Sequence, residues 1–235
     1  MVTELGLFET MLVANGRVVQ LEEHHARMAA SCVALGFPVP SPDAFRACLA
    51  TTDEAVRCTY VPDRALQSTA FPIPAATRAR REHGRALTLD PSWARTLPQH
   101  KTTDYDVCVR ALRQAVEWGA DEALFTTTEG NVLEGTATNV FAVRGTTLIT
   151  APSAVLPGIV RAWVLAQGLP IEERPPTVDE IREGAFFTGS LTTIAPLRTI
   201  DGLRCAEPGE VVAELMHAYM RRLSTPAGSA GAPPP

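Results

Sequence analysis

Apolar positions in residues 6–20 fall into two runs, Leu7 to Val13 and Val18-Val19, with Asn15-Gly16 between them. Asn-Gly between apolar runs is a tight-turn pair, since both residues tolerate positive φ, so the stretch is predicted as a β-hairpin. From residue 21 the period becomes helical: Met28, Cys32 and Leu35 share a face, and Gly36 supplies the stop. Ser41-Pro42-Asp43 reads as a cap plus first-turn proline for a second helix through about residue 49. Residues 55–61 and 86–89 read as strands. The arginine-rich stretch 78–85 between them reads as a solvated loop or edge.

Further on, 107–118 reads as a helix with Val107, Ala111 and Ala115 inward, and 121–126 as a strand. Glu129-Gly130-Asn131 marks a turn, after which 132–143 returns as a strand partner and 147–150 forms another short strand. Pro157-Gly158 precedes a helix at 159–167. A helix at 178–183, strands at 185–188 and 193–200, and a last helix at 210–223 complete the pattern. The Gly-, Ala-, Ser- and Pro-rich tail at 226–235 is expected to be disordered. The implied organisation is a small domain at 1–98, a connector at 99–104, a large domain at 105–225 and the tail.

Composition changes this picture little. The chain has 235 residues, 46% hydrophobic and 20% charged, with a net charge of −5 and scattered arginines, which argues against a nucleic-acid surface. Its five cysteines are odd in number and contain no C-x-x-C pair, so reduced thiols in a cytoplasmic protein are expected. No apolar run approaches the ~18 residues of a membrane span, and no signal segment is expected. Glu22-Glu23-His24-His25 is not a metal motif, because adjacent helical residues point in different directions.

One count does change the picture. Of 21 basic residues only Lys101 is a lysine. Arginine stays protonated and cannot offer a neutral amine, so the chemistry it cannot replace is Schiff-base formation on a carbonyl. Gly158-Ile159-Val160 opens a helix, and unpaired N–H groups there suit phosphate. Gly189-Ser190 could add a hydroxyl. Taken singly, Arg27 reads as a surface arginine and Glu134 as a strand-end carboxylate.

Taken together, Phe8-Glu9-Thr10, His25-Ala26-Arg27-Met28, His100-Lys101, Glu134-Gly135-Thr136-Ala137-Thr138-Asn139 and Leu156-Pro157-Gly158-Ile159-Val160-Arg161 resemble the class IV pyridoxal-phosphate enzymes. That family holds branched-chain aminotransferases, D-amino-acid aminotransferases and 4-amino-4-deoxychorismate lyases. The resemblance runs from residue 6 to 200, with its motifs in family order. It implies an α+β, two-domain class IV aminotransferase-like fold, a small α/β domain beside a larger β-barrel-like domain with flanking helices. It implies pyridoxal 5′-phosphate as cofactor and a homodimer.

Position by position, the resemblance makes Lys101 the Schiff-base lysine and proton shuttle. Glu134 becomes the partner of the pyridine nitrogen. Arg27, the backbone N–H groups of Ile159 and Val160, and the Ser190 hydroxyl become the phosphate holders. Tyr105 stands one residue off the position of a family tyrosine near the ring. Arg57 is a candidate for a substrate carboxylate and equally a surface arginine.

Relatives carry further residues before the Phe-Glu-Thr stretch, so the family's first hairpin is expected to be missing. The short start and the His100-Lys101-Thr102-Thr103 segment resemble the lyase fused behind aminodeoxychorismate synthase, which makes that synthase a candidate partner. The favoured expectation is folate-pathway lysis of 4-amino-4-deoxychorismate to 4-aminobenzoate and pyruvate. Transamination of a branched-chain, D-amino acid or amine substrate is the alternative. A non-catalytic binding relative is the third reading, opposed by the intact Lys101 and Glu134.

Overall fold

The computed structural model describes residues 4–49 and 54–224, so the tail expected to be disordered lies outside the described residues. Strands β1 (Leu7–Ala14), β2 (Arg17–Val18), β3 (Ala55–Tyr60) and β4 (Gln67–Phe71) form an antiparallel sheet in the order β2-β1-β3-β4. The first turn is the expected one: Asn15 and Gly16 have φ of 51° and 70°, the double left-handed step that matches strand twist. Helices α1 (Leu21–Leu35) and α2 (Pro42–Ala47) follow β2. Met28 and Cys32 of α1 and Phe45 of α2 pack on Leu7, Met11, Val56 and Cys58 in one buried cluster. Gly36, at φ 71°, ends α1, and Phe37 N–H donates to the Cys32 carbonyl at 2.8 Å. Ser41 caps α2 by accepting from Ala44 N–H at 3.1 Å.

The stretch read as a solvated arginine loop is instead largely helical. Helix α3 (Ala75–His83) carries Arg80 to 1% exposure, where its guanidinium donates to the Asp121 carbonyl and to Thr192 Oγ1 and lies 3.4 Å from Glu122. Arg78 meets Glu54, Arg81 meets the Leu191 carbonyl, and Arg85 meets Asp121. A charged pattern cannot distinguish hydration from burial when the partners come from distant parts of the chain.

The second sheet is built from β5 (Arg85–Thr88), β6 (Glu122–Thr126), β7 (Val132–Gly135), β8 (Asn139–Arg144), β9 (Thr147–Thr150), β10 (Ile171–Glu173), β11 (Ala185–Gly189), β12 (Thr193–Pro196), β13 (Thr199–Ile200) and β14 (Leu203–Arg204). Its order is β10-β9-β8-β7-β6-β5-β13-β14, with β11 pairing β8 and β12. It is a curled mixed sheet: β5 runs parallel to β6 and β13, and β9 to β10, among antiparallel neighbours. The strand at 86–89, grouped by sequence with the early unit, therefore belongs to this larger sheet. Helix α4 (Asp106–Glu117) buries Cys108, Ala111 and Ala115 beside β6, and α5 (Ile159–Leu165), α6 (Val178–Glu183) and α7 (Glu210–Ser224) flank the rest.

The run expected as one strand at 132–143 is two. Between β7 and β8 the Glu122 side chain takes hydrogen bonds from Thr136 N–H at 3.0 Å, Ala137 N–H at 3.4 Å and Thr138 Oγ1 at 2.9 Å, which holds the chain in a turn. Among the described residues no helix is long and apolar enough to cross a membrane.

Candidate active site

Lys101 is delivered by the connector between β5 and α4, which is zipped onto β1. Phe8 N–H donates to the Lys101 carbonyl at 2.9 Å, and Thr103 N–H donates to the Gly6 carbonyl at 2.8 Å. Gly6 leaves room for both neighbours, because a Cβ there would lie 2.6 Å from the Tyr60 carbonyl oxygen of β3 and 3.2 Å from Thr103 Cγ2 of the connector. The lysine side chain runs into a cavity of about 540 Å³ between the two sheets. Its Nζ stands 4.7 Å from the Phe8 ring centroid and 5.7 Å from that of Tyr105, and the two rings meet edge-on at 5.3 Å. Burial, seconded by the nearby Arg27, Arg95 and Arg57 and opposed by Glu9, brings the amine down to about 8. A neutral amine is therefore accessible near physiological pH.

Glu134, on β7, faces the same cavity with 3% exposure. Arg95 Nη1 donates to Oε1 at 2.5 Å, Leu156 N–H to Oε2 at 2.9 Å and Asn139 Nδ2 to Oε2 at 3.3 Å. Burial pushes this carboxyl up, and Arg95 with the Leu156 N–H pulls against it. Tyr105 turns its hydroxyl away to donate to the Thr136 carbonyl.

Arg27 enters from α1. Its Nε and Nη2 donate to Glu9 at 2.9 and 2.6 Å, and its Nη1 donates to the Pro157 carbonyl at 3.2 Å. Helix α5 begins beside it. A Cβ on Gly158 would stand 1.9 Å from Asn139 Oδ1, so glycine lets the helix start come against the Glu134 network. Ser190 follows β11, with Oγ 3.3 Å from His24 Nε2 on the helix that carries Arg27. Arg57 lies at the mouth, its guanidinium 4.4 Å from the Phe8 ring centroid and its Nε 3.4 Å from Thr10 Oγ1. Arg27, Arg57, Lys101, Tyr105, Glu134, Ile159, Val160 and Ser190, singled out from six separate stretches, all line this one cavity.

Sequence reasoning missed Glu9, His24 and Arg95. Glu9 was legible as a carboxylate amid the apolar strand Leu-Phe-Glu-Thr-Met-Leu. His24 lies in a stretch with no metal motif and carries no local signal, yet its Nδ1 is 2.6 Å from Glu9. Arg95 sits in an irregular segment where no periodicity could flag it.

The model of the amino-transferase class IV family matches residues 6–200 of this chain. The chain belongs to the class IV aminotransferase family. A bifunctional aminodeoxychorismate lyase / D-amino acid transaminase of Mycobacterium tuberculosis is 31% identical over 259 residues, spanning 91% of this chain and 88% of the relative. Two solved structures superpose with a TM-score of 0.79 at 28% identity. One is a hypothetical aminotransferase from Mycobacterium tuberculosis in a PLP-bound form, covering 91% of this chain and 88% of the other. The second is a branched-chain aminotransferase from Thermoproteus uzoniensis with norvaline, covering 94% and 86%.

Proposed function

We propose that this class IV enzyme is a pyridoxal-phosphate-dependent lyase that converts 4-amino-4-deoxychorismate to 4-aminobenzoate and pyruvate, with Lys101 as its working amine. The observation that carries a carboxylate-bearing amine substrate is Arg57, and the His100-Lys101-Thr102-Thr103 segment is what favours the lyase among such enzymes. At the cavity mouth it has no carboxylate partner among the described residues, while Arg27 and Arg95 are each committed to a glutamate. The substrate brings two carboxylates, and a guanidinium fork matches either one.

The cavity fits the cofactor. A buried carboxylate and a lysine of lowered basicity face one space, and Thr188 Oγ1, also in its wall, is a buried polar atom without a partner among the described residues. Arg27, Ser190 and the Ile159 and Val160 N–H groups would hold the phosphate, and Glu134 the ring nitrogen. Pyridoxal phosphate, when bound, supplies a protonated ring that accepts an electron pair. Lys101 then supplies the base: its neutral Nζ removes the proton from the carbon that bears the substrate nitrogen. Release of the enol three-carbon unit, which takes up a proton to become pyruvate, leaves the aromatic product. Phe8 and Tyr105 wall off water on the lysine side. The exposed Val109 and Val116 of α4 continue the cavity lining outward, which supports closure by a second copy in a homodimer.

Transamination of a D-amino acid is the second reading, favoured by the other activity in the name of the Mycobacterium tuberculosis relative. Incubation of the loaded enzyme with 4-amino-4-deoxychorismate separates the two. Equal amounts of 4-aminobenzoate and pyruvate are expected. Their absence, with keto-acid formation from D-alanine, would establish the transaminase.

A further inference from the structure

His24 and Ser190 are 166 positions apart, and their side chains meet at the cavity wall at 3.3 Å. Behind them His24 Nδ1 lies 2.6 Å from Glu9 Oε2, and Glu9 also takes two hydrogen bonds from Arg27. His24 and Glu9 are each 1% exposed, whereas Ser190 lines the cavity. Burial opposes charge on Glu9, but Arg27 and His24 outweigh it and hold the carboxyl down at about 2. Glu9 is therefore a carboxylate that can only accept, which places a proton on His24 Nδ1 in either charge state. The variable atom is Nε2. On a neutral imidazole it accepts, so Ser190 donates inward and turns its lone pairs to the cavity. On an imidazolium it donates, and the Ser190 proton is free to point at a ligand. An anion needs the second arrangement.

We propose that His24 is a positioning residue that takes up one proton from solvent when a phosphate-bearing ligand settles at Ser190, switching that hydroxyl from acceptor to donor. The inference rests on the reading that Ser190 meets the cofactor's phosphate. The charged groups facing His24 are Glu9 from β1, Arg27 from its own helix and Lys101 from the connector. Burial, the largest influence, and the two cations favour the neutral ring, and Glu9 favours the charged one. A dianion on the far side of Ser190 adds the negative charge that tips the balance.

Nitrogen-15 NMR of the wild-type protein with ring-labelled histidine reads this directly. The probe is pyridoxine 5′-phosphate, an alcohol that cannot condense with Lys101, at about pH 8, where its phosphate, with a second pKa of about 6, is already a dianion. One of the five histidines, assigned with His24→Gln, is expected to pass from one protonated nitrogen to two. Pyridoxine without the phosphate should leave it neutral. A His24 ring that stays neutral with the phosphate ligand bound overturns the proposal. Ser190→Ala separates the underlying reading: unchanged affinity for pyridoxine 5′-phosphate would show that Ser190 does not meet the phosphate. A Ser190→Ala loss of at least about tenfold, absent for pyridoxine, would support that reading whichever way His24 behaves.

Discussion

Arg95 clamps Glu134 to the residue that precedes Lys101. Its Nη1 is 2.5 Å from Glu134 Oε1, and its Nη2 donates to the His100 carbonyl at 2.9 Å. One side chain thus fixes both the carboxylate and the entry of the lysine into the cavity.

Arg95→Met should leave Glu134 buried without its cation, a condition that costs about 3–5 kcal/mol in other buried pairs. A urea unfolding series is expected to show a loss of that order. Turnover should fall as well, because the carboxyl, already pushed up by burial, would gain a proton. Wild-type stability would mean that the pair is not formed in solution.

Glu134→Ala should retain bound pyridoxal phosphate, since the phosphate holders and Lys101 are untouched. Loss of one preorganised charge contact in an enclosed site commonly costs roughly 100- to 1,000-fold in turnover. Steady-state kinetics alongside a cofactor-content assay tests this. A normal rate would remove Glu134 from the ring nitrogen.

Glu9 predicts an acid-sensitive contribution to stability. Its carboxyl stands at about 2 in the folded chain against 4.5 for an unperturbed glutamate. The stabilisation is therefore fully present above about pH 4.5 and is lost as pH falls toward 2. Its size is roughly 3 kcal/mol, at 1.36 kcal/mol for each pH interval of one. Urea midpoints of wild type and Glu9→Gln, measured between pH 5 and pH 2, should converge on acidification. Parallel curves would contradict the ion cluster.

The strands, most helices and the motif residues were legible because each rests on local signals: a period of two or 3.6, an Asn-Gly turn, a Ser-Pro cap, a glycine stop. What the sequence hid is what depends on partners far along the chain. Arg80 looked solvated because its acceptors lie on Asp121, Glu122 and Thr192, more than 40 positions away. The break between β7 and β8 looked like continuous strand because the group that makes it, Glu122, is on β6. The strand at 86–89 was placed with the wrong sheet because parallel pairing leaves no turn between partners to read. At the site, the unique lysine announced itself by composition, whereas Arg95 and His24 are ordinary residues made functional by contact.

Arg80→Ala tests the buried half of that account. With Glu122 left buried and partly unpaired, destabilisation of about 3–5 kcal/mol is expected. Thermal unfolding would show it, and a change within about 0.5 kcal/mol, the range of ordinary surface substitutions, would restore the solvated reading.

The most direct measurement of the central claim is the visible absorbance of the protein mixed with pyridoxal phosphate, compared with Lys101→Ala and Lys101→Arg. The account predicts a lysine-linked cofactor band for the wild type alone. Arginine keeps the charge but offers no amine that can attack a carbonyl. Both variants should stay folded by circular dichroism and should release neither 4-aminobenzoate nor keto acid. A band of wild-type strength, or any retained turnover, in the Lys101→Arg protein would contradict the assignment of Lys101 as the working amine.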